Sequence, residues 1–326
     1  MPSDIQTQRI RVYLSRRLPP AVEERIAAQY DLVRNPQDTI LTPEELARAA
    51  KGCSYIFTSA MQPVTRKVFQ DLRGTLKAIG TLSVGYNHID IPAAKEFGVS
   101  LFYSPGVLSD ACSELAIMLL LNAARRGYEA DTMVRTNAWT GYAPTQLLGI
   151  GLTGRRAGIL GMGRIGRAIS KRLKAFAVTV HYHNRNRLGP SEEDGAIYHS
   201  TPDSLLAVSD FLLLLAPSAP ELVRFFNRDR INLLPQNSVV VNISRGDIID
   251  DDALIDALQT GRIFAAGLDV FANEPAIDPR YRTLTNVFLT PHIASATIDT
   301  RNAMGFVVLD GIKAFEEGRT AENQLC

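Results

Sequence analysis

The stretch RRAGILGMGRIGRAISKRL (155–173) restricts the fold more than any other part of the chain. An apolar strand leads through Gly161-x-Gly163-x-x-Gly166 into an amphipathic helix. In that setting the first glycine permits a tight turn and the second lets the backbone approach a pyrophosphate. The third lets helix and strand pack closely. The phosphates then face unpaired N–H groups at the positive end of the helix dipole. Gly161, Met162, Gly163, Arg164, Ile165 and Gly166 are therefore candidate dinucleotide-binding residues. A ligand-free glycine turn carries the same bare pattern; the strand before and the helix after distinguish the two.

A domain-sized segment precedes this fingerprint. In it RIRVYLS, SYIFTSA, LKAIGTLSV and VSLFYSP read as strands. PPAVEERIAAQY, TPEELARAAKG, PVTRKVFQDLRG and IPAAKEFG read as helices, several with proline or threonine at their starts. Such alternation implies a parallel sheet covered on both faces. VTVHYH, AIYHS, DFLLLLA, SVVVNIS, FAAGLDV and NVFLT form a second series after the glycines, and DDDALIDALQTG is its clearest helix. Between the series, SDACSELAIMLLLNAARRGYEADTMV (109–134) reads as one long helix, apolar nearly all round in its first half and so buried on several sides. With the aromatic loop NAWTGYAPTQLLG it points to a subunit interface, hence a homodimer. The last segment, SATIDTRNAMGFVVLDGIKAFEEG, is helical.

With 326 residues, 46% of them hydrophobic, the chain can bury a large core in two α/β domains. A formal charge of +1 gives no general attraction to nucleic acid or an anionic membrane. No run approaches the roughly 18 apolar residues of a membrane span. The polar start, MPSDIQTQRIRVYLSRR, has no apolar signal core. Cys53, Cys112 and Cys326 fit neither a disulfide framework nor a zinc site. His181 and His183 share a strand face but lack further metal ligands, so packing is their expected role. The expectation is a cytoplasmic protein without metal.

The strand VTVHYH ends at Asn184-Arg185-Asn186-Arg187. About 20 residues beyond the glycines an NAD site places an acid on the ribose 2′-hydroxyl. No carboxylate stands between the glycines and Arg187. Arginine suits a 2′-phosphate, which an acid would repel. At about 1.5–3 kcal/mol per charge-assisted contact, two contacts favour NADP(H) by roughly 10²–10⁴. Asn184, Arg185 and Arg187 are thus cofactor candidates; NAD(H) binding and a plain solvated basic turn stay open.

Three downstream segments, VVVNISRGDIIDDDALIDAL (239–258), AAGLDVFANEP (265–275) and LTPHIASAT (289–297), resemble signatures of the D-isomer-specific 2-hydroxyacid dehydrogenase family. VGYNHID (84–90), SPGVLSD (104–110) and WTGYAPTQLLG (139–149) extend the resemblance over nearly the whole chain. It implies two Rossmann-like, doubly wound parallel-sheet domains, the cofactor domain inserted in the substrate domain. Residues 1–102 and 296–326 would form the flavodoxin-like substrate domain, and 103–295 the dinucleotide-binding domain. By position, Arg245 resembles the substrate-binding arginine, Glu274 the acid behind the histidine, and His292 the proton donor. The backbone amides of Val84 and Gly85 resemble those that hold the substrate carboxylate. Asp269 resembles a residue bonding the nicotinamide amide, and Ser295 lies near that ring. Ser109, Ala216, Pro217 and Ile243 resemble cofactor contacts, and Trp139 an aromatic reaching the partner subunit's pocket.

The chemistry is coherent. A 2-oxo acid presents a carboxylate beside a ketone, and one arginine can clamp the first and polarise the second. The carbonyl carbon takes a hydride, and its oxygen then needs a proton, which histidine can give. Within the family, VGYNHID, the NRNR turn and the Glu274–His292 pair most resemble the glyoxylate and hydroxypyruvate reductases, which reduce small 2-oxo acids. A 2-ketogluconate reductase of the same family, or a nucleotide-sensing interaction protein on the same fold, remains an alternative. A methyltransferase gives no reason for Arg245, Glu274 and His292 to match in order. The loop TSAMQPVT (58–65) fits no single substrate specialist; Met61 can adapt to several side chains, and Gln62 is left without a role.

Overall fold

The computed structural model describes residues 9–217 and 219–326 and divides into two units. Residues 1–8, the first part of the polar start, and Ser218 lie outside the described residues. Unit 1 takes the described residues up to Leu108 together with Ala296–Cys326; unit 2 is Ser109–Ser295.

Unit 1 is a five-stranded parallel sheet of β1 (Arg11–Leu14), β2 (Asp31–Arg34), β3 (Tyr55–Thr58), β4 (Ala78–Thr81) and β5 (Ser100–Phe102), in the order β2-β1-β3-β4-β5. That is the flavodoxin-like order. Strands β3 and β4 are buried at every residue, the mark of central strands in a sheet covered on both faces. The crossovers carry α1 (Pro20–Gln29), α2 (Pro43–Ala49), α3 (Arg66–Asp71) and α4 (Ile91–Glu96). Thr42 and Glu45 cap α2 reciprocally. The sequence reading misses β2, a four-residue edge strand with no fully buried position, so it has no apolar run to announce it.

Unit 2 holds seven parallel strands. They are β6 (Arg156–Leu160), β7 (Thr179–His183), β8 (Ile197–Tyr198), β9 (Phe211–Leu214), β10 (Ser238–Asn242), β11 (Ile263–Leu268) and β12 (Val287–Leu289). Their order, β12-β11-β10-β9-β6-β7-β8, builds outward from β6 in one direction and then from β9 in the other. Ligands of open α/β sheets bind at the carboxyl ends of the strands where the direction reverses, here between β6 and β9. The helices are α5 (Ser109–Ala124), α6 (Gly127–Arg135), α7 (Arg164–Ala175), α8 (Pro190–Glu193), α9 (Pro202–Leu206), α10 (Arg228–Leu233) and α11 (Asp251–Gln259). The final helix, α12 (Ile298–Glu316), belongs to unit 1 and packs on α1 and β4. A Cβ on Gly305 would lie 2.5 Å from Val22, so glycine sets that close approach.

Two expectations are corrected. The single helix over 109–134 is two helices, α5 and α6, because Arg126 turns left-handed (φ 57°) and its guanidinium grips Glu129 across the first turn of α6. The units divide after Leu108 rather than at residue 102. The chain beyond β5 still bonds to unit 1, with Tyr103 N–H donating to Asn323 O (3.1 Å) and Ser104 N–H to Ser83 O (3.0 Å). Among the described residues no helix is long and apolar enough to cross a membrane.

Candidate active site

The glycine loop joins β6 to α7 at the point of reversal. Gly161 has φ +97°, and a Cβ there would lie 2.6 Å from Ala216 N on the loop after β9. Gly166 faces Gly161 O at 3.1 Å, which lets α7 sit against the strand. Gly163 differs: among the described residues nothing lies within 4 Å of its would-be Cβ. It is the N-cap of α7, whose first N–H groups have no helical partner. An open cradle rimmed by N–H donors fits a pyrophosphate. Gly163→Ala should therefore leave the melting temperature unchanged while weakening coenzyme binding about tenfold or more, read by fluorescence titration. Gly161→Ala should instead lower the melting temperature, because both its φ and its contact with Ala216 forbid a side chain.

Asn184, at the end of β7, clasps this loop. Its Oδ1 accepts Met162 N–H (2.6 Å) and its Nδ2 donates to Met162 O (3.2 Å). The two arginines beside it separate. Arg187 forms a fork with Glu193 (2.7 and 3.1 Å). Those bonds, with one from Tyr182 OH, hold the Glu193 carboxyl down at about 2, so the pair stays ionised at working pH. Arg185 is exposed and has no ion pair or hydrogen bond among the described residues. His181 bonds to the ring of His199 (2.9 Å) and His183 to its carbonyl (2.8 Å). Among the described residues no group of three or more His, Cys, Asp or Glu could hold a metal ion.

Arg245 follows β10 on a turn built by Asn242, which is fully buried. Asn242 Nδ2 donates to Arg245 O (2.8 Å), and its Oδ1 accepts the N–H (3.0 Å) and hydroxyl (2.9 Å) of Ser244. Arg245 Nη1 donates to Ser244 O (2.6 Å), and no carboxylate pairs with the guanidinium among the described residues. Gly246 brings this turn against a second one: its would-be Cβ lies 1.8 Å from Phe271 C. The second turn carries Glu274, whose Oε1 accepts Phe271 N–H (2.7 Å) and whose Oε2 bonds His292 Nδ1 (2.7 Å). Burial opposes ionisation of Glu274, but the bonds from His292 and Phe271, with Arg245 nearby, outweigh it and hold its carboxyl below the usual glutamate range.

His292 sits at φ +55°, a left-handed conformation that costs a non-glycine residue roughly 1–2 kcal/mol. Its N–H donates to Asp269 O (2.8 Å) and Thr290 O (3.1 Å). The buried Asp269 carboxylate accepts from Thr290 Oγ1 (2.6 Å), Ile293 N–H (2.8 Å) and Ala294 N–H (2.9 Å). At about 1.5–3 kcal/mol per charge-assisted bond, these outweigh the strain. Burial pushes the Asp269 carboxyl above the usual aspartate value against the pull of those donors. Asp269 thus braces the loop that presents His292.

The geometry joins Arg245, Glu274 and His292 in unit 2 and leaves the other candidates in plainer settings. Ile243 and Ser295 are half-buried, Ala216 is buried, and Pro217 is exposed. Ser109 opens α5. Trp139 is 56% exposed, its Nε1 donating to Gly141 O (2.8 Å). In unit 1, Val84 is exposed and Gly85 half-buried. Gln62 is fully buried and clasps Leu41, accepting its N–H (3.0 Å) and donating to its carbonyl (2.8 Å), so its work is tying two loops together. Gly246, Asn242 and Glu193 are functional positions that the sequence does not mark, save that an asparagine two residues before a serine at a strand end signals the Asn242 turn. A cavity of about 460 Å³ at the amino ends of β11 and β12, lined by Arg126, Phe264 and Asn286, contains none of the candidate residues.

Residues 117–294 match the family described as D-isomer specific 2-hydroxyacid dehydrogenase, NAD binding domain. The chain is 38% identical to the glycerate dehydrogenase of Hyphomicrobium methylovorum, over 92% of this chain and 94% of that one. It is 35% identical to the human glyoxylate reductase/hydroxypyruvate reductase, over 97% and 98%. A solved NADPH-dependent glyoxylate/hydroxypyruvate reductase from Sinorhizobium meliloti, in complex with NADP and malonate, superposes with a TM-score of 0.85 at 32% identity, covering 98% of this chain and 97% of that one.

Proposed function

The chain belongs to the D-isomer-specific 2-hydroxyacid dehydrogenase family, and on that basis we propose that it reduces glyoxylate to glycolate and hydroxypyruvate to D-glycerate, preferring NADPH. The observation that carries this reading is the 2.7 Å bond from His292 Nδ1 to Glu274, on a turn that Gly246 seats against the turn of Arg245, whose guanidinium pairs with no carboxylate among the described residues.

The glycine loop 161–166 would hold the pyrophosphate, and Arg185 would take the 2′-phosphate. When bound, the reduced nicotinamide supplies the hydride. Arg245 clamps the substrate carboxylate and draws electron density from the carbonyl oxygen beside it. From the family resemblance alone, the backbone amides of Val84 and Gly85 are read as carboxylate ligands. His292 donates its Nδ1–H to Glu274, which leaves the Nε2 proton as the one to deliver to the substrate oxygen. The product is a hydroxyl where the carbonyl stood, and His292 is left neutral with Nδ1 still protonated. Glu274 compensates the charge of the imidazolium before transfer and fixes the ring.

The basic turn supports the coenzyme preference. With Arg187 held by Glu193, Arg185→Ala should weaken NADPH about 10–100-fold and spare NADH. Arg187→Ala should change NADPH affinity less. Equal losses for both coenzymes in Arg185→Ala would make the turn structural only. The proposal extends to a cytoplasmic homodimer. Helix α6 has no buried residue, and Val134, Trp139, Tyr142 and Leu148 stand exposed on it and the loop beyond, an apolar surface of the kind that protein interfaces cover. Comparing kcat/KM over a panel of 2-oxo acids tests the substrate reading. Glyoxylate and hydroxypyruvate should lead; a higher value for 2-ketogluconate would displace them.

A further inference from the structure

We propose that Thr81, Ser83 and His88 form a positioning relay that aims the backbone amides of Val84 and Gly85 and so sets affinity for 2-oxo acids. The inference rests on reading those amides as ligands of the substrate carboxylate.

Strand β4 ends at Thr81, and the chain runs on through a loop to α4. Thr81 is fully buried and Ser83 nearly so. Thr81 Oγ1 lies 2.8 Å from Ser83 Oγ and 3.0 Å from His88 Nε2, and Ser83 Oγ donates to Gly85 O at 2.7 Å. Counting protons gives the chain one direction. A carbonyl only accepts, so the single hydroxyl proton of Ser83 is used on Gly85. Thr81 must then be the donor to Ser83, and His88 Nε2–H the donor to Thr81. Each member is polarised by the one before it, and such chains strengthen cooperatively in a buried setting.

The far end of the relay is anchored as well. His88 O accepts Val64 N–H (2.8 Å), and Val64 O accepts Asp90 N–H (2.9 Å). The loop is thereby closed at its base and drawn inward at Gly85 O. The N–H groups of Val84 and Gly85 meet no acceptor among the described residues. Consecutive amides left open in a fixed turn make an anion-binding concavity. The hydroxyls and imidazole touch neither reacting atoms nor coenzyme in this scheme. They act on binding, through the direction in which two N–H bonds point.

The test is Thr81→Val, which keeps the shape and deletes the hydroxyl, against Thr81→Ser, which keeps the hydroxyl. Steady-state rates are read with glyoxylate as the varied substrate, and the NADPH dissociation constant by fluorescence titration. Losing a hydrogen bond to a charged ligand's cradle should raise KM by about tenfold or more in Thr81→Val, with kcat within about threefold of wild type. NADPH affinity should not change, and Thr81→Ser should return KM to within about threefold of wild type. An unchanged KM in Thr81→Val, or equal rises in the valine and serine variants, overturns the relay. If Thr81→Val fails to fold, Ser83→Ala decides in the same way. Gly85→Pro removes one amide outright. A raised KM there with none in Thr81→Val leaves the amide reading standing and removes the relay. No rise in either removes both.

Discussion

His292→Ala will lower kcat for glyoxylate reduction by about 10²–10⁴-fold, the usual contribution of a positioned general acid. Coenzyme affinity should stay near wild type, because among the described residues no bond of the glycine loop involves the ring. A loss below about threefold would remove His292 from the mechanism. Glu274→Gln should fall between wild type and His292→Ala, since the amide can still accept from Nδ1 but carries no charge. The same variant checks the electrostatics through stability. The Glu274 carboxyl is held below its ordinary value, so its ionised form stabilises the fold above the unfolded glutamate pKa of about 4.3. That stabilisation is lost as pH falls through the lowered value. The wild type should therefore melt above Glu274→Gln at neutral pH, and the gap should close only below about pH 4.3. A gap that closes between pH 7 and 5 would contradict the assigned shift.

Gly246→Ala will lower kcat/KM by about 10²-fold although glycine has no side chain to act on a substrate, because displacements near 1 Å at a reacting centre carry that penalty. The added methyl would lie 1.8 Å from Phe271 C and 2.2 Å from Ala272 N, distances that only main-chain movement can relieve. The movement separates the turn of Arg245 from the turn whose Phe271 N–H fixes Glu274. Glycine at 246 is thus what lets a cation and an imidazole–carboxylate pair occupy one edge of the sheet. Coenzyme affinity should change little, since Gly161 and Gly163 sit on the other side of the reversal point. A Gly246→Ala enzyme with wild-type kcat/KM would show that the two turns need not be in register.

How far the site could be read from sequence follows from how local each feature is. The strand, glycine turn and helix at 156–175 are contiguous, so spacing alone carries them. Helix α11 likewise declares itself with Asp250 as N-cap and acids in its first turn. The edge strand β2 does not, because four half-exposed residues carry no pattern against α1 beside them. The break at Arg126 depends on a left-handed residue and its grip on Glu129, and the helical periodicity runs straight through it. Gly246 and Phe271 are distant in sequence, so nothing near residue 246 signals that a methyl group is excluded. Charge and position alone mark Arg187 as a phosphate ligand. The fork with Glu193 on α8 is a tertiary contact and leaves Arg185 as the uncommitted cation.

The most direct measurement follows the hydride itself. Hydroxypyruvate is reduced with NADPH carrying deuterium at the transferable C4 position of the nicotinamide, and the product is resolved by configuration. The expected product is D-glycerate with one deuterium at C2 for each coenzyme oxidised, formed at least about 10²-fold more slowly by His292→Ala. No coenzyme oxidation with hydroxypyruvate or glyoxylate, or a product without deuterium at C2, would contradict the assignment of this chain as a 2-oxo acid reductase.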